Sequence, residues 1–89
     1  MEKLKFTKFS DEFPVEDKEF VMLWRTGDRV RHVYVECLYR EREGKDCEEC
    51  YIYYNNFHDY IYTNKSELCN LDYYWMYVKD FEKMIFSYM

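Results

Sequence analysis

The chain has 89 residues, of which 48% are hydrophobic, 35% charged and 22% aromatic, with two Gly, one Pro and a formal charge of −5. This length is expected to form one domain over residues 1–89 and excludes a two-domain enzyme; the apolar and aromatic content excludes a disordered tail. A chain of this size hides only roughly 60 to 65% of its unfolded surface, so its core is thin.

Apolar and charged residues alternate from Met1 to Phe9, and no apolar run of about 7 to 15 residues follows, so no secretory signal is read there. Residues 10–19 are acidic, hold Pro14, and read as a loop leading into a strand. The run Phe20-Val21-Met22-Leu23-Trp24 is short and strand-favouring, and Arg25-Thr26-Gly27-Asp28 after it reads as a hairpin turn in which Gly27 supplies a positive φ. Residues 29–40 alternate, with Val33, Val35, Cys37 and Tyr39 expected on one face and Val30, His32, Tyr34, Glu36 and Leu38 on the other. A charged loop over 41–46 then leads through Cys47-Glu48-Glu49-Cys50 into a third strand at 51–54. Asn55-Asn56 marks a turn, Tyr60-Ile61-Tyr62 a fourth short strand, and the polar run 63–67 closes it. Residues 73–78 form a fifth apolar run, after which Asp80 is suited to cap a helix presenting Phe81, Met84, Ile85 and Tyr88 on one face. The expected fold is α+β: a curled antiparallel sheet of four to five strands with a short C-terminal helix.

No window approaches the roughly 18 consecutive apolar residues of a spanning helix. The expectation is therefore a cytoplasmic protein without a membrane partner, whose four cysteines, Cys37, Cys47, Cys50 and Cys69, are thiols. Charge by segment is +2 over 1–10, −4 over 11–24, +2 over 25–45 and −5 over 46–89. The arginines at 25, 29, 31, 40 and 42 are interleaved with Asp28, Glu36, Glu41 and Glu43, so the clustered positive charge of a nucleic-acid partner site is lacking.

Two thiolates spaced as in Cys47-Glu48-Glu49-Cys50 can chelate zinc, but a closed site needs two further ligands. Cys37, Cys69, His32 and His58 each stand alone, so no metal site is assigned, and Cys47, Cys50, Cys37 and Cys69 remain only as candidates. Glu48 and Glu49 would oppose a reactive thiolate, which argues against redox chemistry. His58 beside Asp59 is the one adjacent pair with catalytic character, and adjacency in sequence does not give hydrogen-bonded geometry. Two isolated glycines cannot build a phosphate-cradling loop. No enzymatic activity and no cofactor are implied.

Eleven Tyr, seven Phe and two Trp are the remaining signal. Tyr suits half-exposed strand positions, and Tyr, Trp, Phe and Met are also enriched at interface centres. Tyr51, Tyr53, Tyr54, Tyr60 and Tyr62 should lie on both faces of the sheet, of which one helix can cover only one. They are the candidate interface residues.

The stretch 13–24, Phe-Pro-Val-Glu-Asp-Lys-Glu-Phe-Val-Met-Leu-Trp, resembles the opening of a small phage and prophage family, domain of unknown function 551. The run Tyr73-Tyr74-Trp75-Met76-Tyr77-Val78 is similar to that family's closing segment, which centres on a Trp-Met pair. The resemblance implies an origin in a phage or mobile element rather than a reaction. The function expected is a small non-enzymatic interaction module, acting on a bacterial host or defence protein or on another copy of itself. The alternatives are a zinc-stabilised domain using Cys47 and Cys50, and a small-ligand or nucleotide binder with an aromatic wall.

Overall fold

A hairpin organises the sheet. In the computed structural model, which describes residues 5–43 and 47–89, strand β2 (Phe20–Thr26) turns through Gly27, at φ +58°, into β3 (Arg29–Glu41). Its partners follow as β4 (Glu49–Tyr54) and β5 (Asp59–Asn64), a meander in which each strand pairs antiparallel with the last. Helix α1 (Lys65–Asn70) carries the chain back to β6 (Tyr73–Tyr77), which pairs with the free side of β2, and β1 (Thr7–Lys8) pairs with β6. Helix α2 (Val78–Ser87) follows β6 directly. Among the described residues the sheet has six strands in the order β1-β6-β2-β3-β4-β5, each neighbouring pair antiparallel.

The α+β class, the antiparallel sheet and the C-terminal helix agree with expectation; the two-residue β1 and helix α1 are additional. The polar run 63–67 does not simply close a strand. Asn64 Oδ1 accepts from the Glu67 backbone N–H at 2.8 Å, which satisfies an otherwise unpaired donor and starts α1. Asp80 lies in the first turn of α2, whose N-cap is Tyr77. The charged loop expected over 41–46 is described only at Glu41, Arg42 and Glu43; Gly44, Lys45 and Asp46 lie outside the described residues, as do Met1, Glu2, Lys3 and Leu4.

β3 departs from strict alternation. The register runs from Phe20↔Cys37 to Met22↔Tyr34, so β3 spends three residues where β2 spends two, and Glu36 takes φ +54°. This bulge puts Tyr34 on the same face as Cys37 and Tyr39, whereas alternation assigned it to the other. A second irregularity falls between Trp24 and Arg25. The 13-residue strand divides between two partners, pairing with β2 through Cys37 and with β4 from Leu38 to Glu41.

The inner face holds the core: Phe20, Met22, Cys37, Tyr39, Cys50, Ile52 and Trp75 are buried there with Phe9 and Leu68. Phe9 and Phe13 reach it from the loop after β1, with Phe13 5.6 Å from the Tyr39 ring, and Leu68 reaches it from α1. The Trp75 indole N–H donates to the Glu12 carbonyl at 2.9 Å, tying that loop down.

Helix α2 covers the outer face, but only at one end. Phe6, one residue before the inward-facing Thr7, meets Phe81 at 6.4 Å, and the outward-facing pair Val21 and Met76 is buried. α2 touches β6 and β2 and has no fully buried residue of its own. Among the described residues, no helix is long and apolar enough to cross a membrane.

Candidate functional site: an outward tyrosine face

The outer face of β4 and β5 lies at the far end of the sheet from α2. The register sets Tyr51 opposite Tyr62 and Tyr53 opposite Tyr60, so the period of two turns all four rings outward. Their centroids form a connected group: Tyr51 to Tyr62 at 5.0 Å, to Tyr60 at 5.7 Å and to Tyr53 at 5.8 Å, with Tyr53 to Tyr60 at 6.1 Å. Tyr60 remains 61% exposed and Tyr62 49%, while Tyr51 and Tyr53 are half-buried beneath them. Leu38 and Arg40 extend the face onto β3, opposite Tyr53 and Tyr51.

The turn between β4 and β5 adds an aromatic at the rim. Asn55, Asn56 and Phe57 all have positive φ, at 55°, 57° and 68°. Asn tolerates that region; a bulky side chain such as Phe57 adopts it at a cost on the order of 1 kcal/mol. Phe57 lines, with Leu38, Arg40 and Tyr53, an open cleft of about 290 Å³.

A polar group closes the other end. Tyr62 donates its hydroxyl hydrogen to Glu49, and Arg42 pairs with the same carboxylate and reaches the Tyr62 oxygen at 3.1 Å. The bonds from Tyr62 and then Arg42 hold the Glu49 carboxyl below its usual range, and the same carboxylate pushes the Tyr62 phenol up. Arg40 is engaged by Asp17 at 2.6 Å. The surface is thus apolar and aromatic at its centre, with compensated charges at its edge.

Tyr54, the fifth candidate, lies on the opposite face. It pairs with Asp59 on the inner side, and its ring meets Tyr34 at 5.0 Å. It belongs to a second aromatic group with Trp24, His32, Tyr34 and Tyr73, at the end of the inner face beyond the N-terminal loop. The His32 ring lies 4.2 Å from that of Tyr34, tilted by 45°. Sequence reasoning missed this group because the Glu36 bulge moved Tyr34. It also missed Leu38, Arg40 and Phe57 as companions of the outer rings.

The cysteines are dispersed among other roles. Cys37 and Cys50 are fully buried in the inner core, and burial pushes their thiols up to about 12 and about 11. Cys47 and Cys69 are half-buried, and all four are free thiols. Among the described residues, no group of three or more His, Cys, Asp or Glu side chains is placed to hold a metal ion. His58 and Asp59 do not form a pair: Asp59 accepts instead from the Asn55 side-chain amide at 3.1 Å. No family model, no curated protein and no solved structure matches the chain.

Proposed function

We propose that this chain is a small, non-enzymatic interaction module that recognises a protein partner through the tyrosine face of β4 and β5. The observation that carries this reading is that Tyr51, Tyr53, Tyr60 and Tyr62 gather on the part of the outer face that α2 leaves bare. Hiding the exposed part of one such ring, on the order of 100 Å², contributes about 2 to 3 kcal/mol before the costs of association. Two exposed rings resting on two half-buried ones give a rigid anchor at small entropic cost, since each ring has two rotatable side-chain bonds. The partly compensated charges at Arg42, Glu49, Arg40 and Asp17 suit a polar rim.

The similarity of residues 13–24 and 73–78 to a phage and prophage family supports placing the module in the cytoplasm of a bacterial host, acting on a host or defence protein. The test is a comparison of the wild-type chain with a Tyr60→Ser/Tyr62→Ser variant as bait in bacterial lysate. The reading expects a protein retained by the first and lost by the second, at equal folding by circular dichroism. Retention by both, or by neither, overturns it.

A further inference from the structure

We infer that the outer edge of β5 takes up an extended segment of the protein partner as a further antiparallel strand, apolar toward the tyrosine face and basic at both ends of its inner row. The inference rests on the reading of the tyrosine face as a recognition surface. It adds the backbone edge beside that face and the chemistry of the segment that docks there.

Among the described residues β5 is the last strand in the sheet order, six residues long, whereas the opposite edge is the two-residue β1. The Lys65 backbone N–H donates to the Glu48 carbonyl at 2.9 Å, continuing the β4–β5 register by one residue. Asp59, Ile61 and Thr63 share that parity and direct their backbone groups toward β4. The N–H and C=O groups of Tyr60 and Tyr62 therefore point to the open edge, together with the Asn64 N–H. The Asn64 carbonyl is not among them, because Asn64 caps α1 and its C=O accepts the first bond of that helix. Asp59–Asn64 holds no Pro and no Lys, and no bulge interrupts its register, so the devices that block edge pairing are missing.

An added strand sets its residues against those of β5 face for face. Beside the edge the outer row is Tyr60 and Tyr62, whose exposed flanks suit β-branched apolar side chains. The inner row is Asp59, Ile61 and Thr63, with a carboxylate at each end: Asp59 itself, and Glu67, which accepts from the Thr63 hydroxyl at 2.6 Å. Asp59 accepts from the neutral Asn55 amide, and neither Asp59 nor Glu67 forms an ion pair among the described residues. Lys or Arg opposite Asp59 and opposite Thr63 would supply both counter-charges.

The same charges disfavour a second copy of this chain as the occupant. Residues 46–89 carry −5, and Lys65, the cation next to β5, starts α1 with its ammonium 3.2 Å from Glu41. A second β5 would set carboxylates against carboxylates. The occupant is therefore a basic extended segment of another protein.

One short segment buries less than the roughly 1,200 to 2,000 Å² of a tight complex, so its Kd is expected on the order of 100 μM. The probe is the peptide Ser-Lys-Val-Thr-Val-Lys-Ser, acetylated and amidated, whose lysines fall opposite Thr63 and Asp59 and whose valines fall opposite Tyr62 and Tyr60. Titrated to about 3 mM near physiological salt, it should shift the backbone amide signals of Tyr60 and Tyr62 and slow their exchange, leaving Thr7 and Lys8 on the opposite edge unchanged. Methylating the two valine nitrogens removes the donors aimed at the Tyr62 and Tyr60 carbonyls, keeps side chains and charge, and should abolish binding. Replacing both lysines with Glu should weaken binding about tenfold.

No response at the highest concentration, equal binding by the methylated peptide, or equal binding by the Glu peptide would each overturn the inference. So would slowed exchange at Tyr60 and Tyr62 on concentrating the chain without peptide, which would make a second copy the occupant. A methylated peptide that still moves the Tyr60 and Tyr62 ring signals would remove strand addition alone and leave the tyrosine face as the recognition surface.

Discussion

Tyr51 and Tyr62 stand directly opposite each other across β4 and β5, ring centroids 5.0 Å apart, on the part of the outer face that α2 leaves bare. An aromatic cross-strand pair stabilises a sheet by roughly 0.2 to 1 kcal/mol, but it does not require two further tyrosines to surround it. The inner face meets its own needs with Phe20, Met22, Ile52 and Leu68, so the outer rings exceed what the core demands.

The left-handed Phe57 is held in place by the turn it shares with Asn55 and Asn56. Phe57→Asn relieves the backbone strain and removes the rim of the cleft. The variant should be as stable as the wild type or up to about 1 kcal/mol more stable in urea unfolding, a rise of a few degrees in Tm for a domain of this size. A loss of more than about 1 kcal/mol would show that the ring, rather than the backbone, dominates at this position.

Glu41 governs the acid limb. Burial raises its carboxyl, but bonds from Lys65 and the Cys47 backbone N–H, the Lys65 charge and the Tyr39 hydroxyl together hold it below the ordinary 4.5. Its stabilising contribution is therefore complete above that value and is lost as pH falls through the lowered folded-state value. Glu48, bonded by Ser66, and Glu49, bonded by Tyr62 and Arg42, act in the same direction. Lys65→Met removes the counter-charge from a carboxylate only 14% exposed and should cost about 1 to 3 kcal/mol at neutral pH. Urea titrations from pH 7 to 3 should show the wild type weakening below about 4.5 and the variant losing less over that range.

Alkaline instability should come from the core thiols. Cys37 and Cys50 are raised by burial from 9.0 to about 12 and about 11, and the Tyr39 phenol is raised as well, again chiefly by burial. Their contribution is complete below pH 9, where the unfolded chain also keeps these protons, and falls as pH rises toward the folded-state values. Each thiol should remove roughly 1 kcal/mol per pH unit between about 9 and 11. Cys37→Ala/Cys50→Ala should flatten that slope in urea unfolding, at the expense of a lower plateau from lost packing. An unchanged slope would place the alkaline transition elsewhere.

Several of these features were legible in the sequence. The Phe20–Trp24 run, Gly27 and the alternation after it gave the β2–β3 hairpin, whereas Tyr51, Tyr53, Tyr54, Tyr60 and Tyr62 were expected only to divide between both faces, and it is the β4–β5 register that sets four of them on one. The Glu36 bulge was not legible, because it depends on how β3 divides itself between β2 and β4, and no local residue pattern announces it. Helix α1 was legible in principle: Asn64-Lys65-Ser66-Glu67 has the spacing of an N-cap with an acidic third position. Its polarity concealed it, since only Leu68 among its six residues is buried. Tyr54 looked like its neighbours until the register put it across the sheet from them.

The most direct test of the tyrosine face is nuclear magnetic resonance of protein with ¹³C-labelled tyrosine rings, recorded alone and with the protein it retains from bacterial lysate. The account predicts that the ring signals of Tyr51, Tyr53, Tyr60 and Tyr62 shift or broaden on binding, while those of Tyr39 and Tyr54 on the inner face stay in place. Changes confined to the inner-face rings, or to Tyr88 at the end of α2, would contradict it.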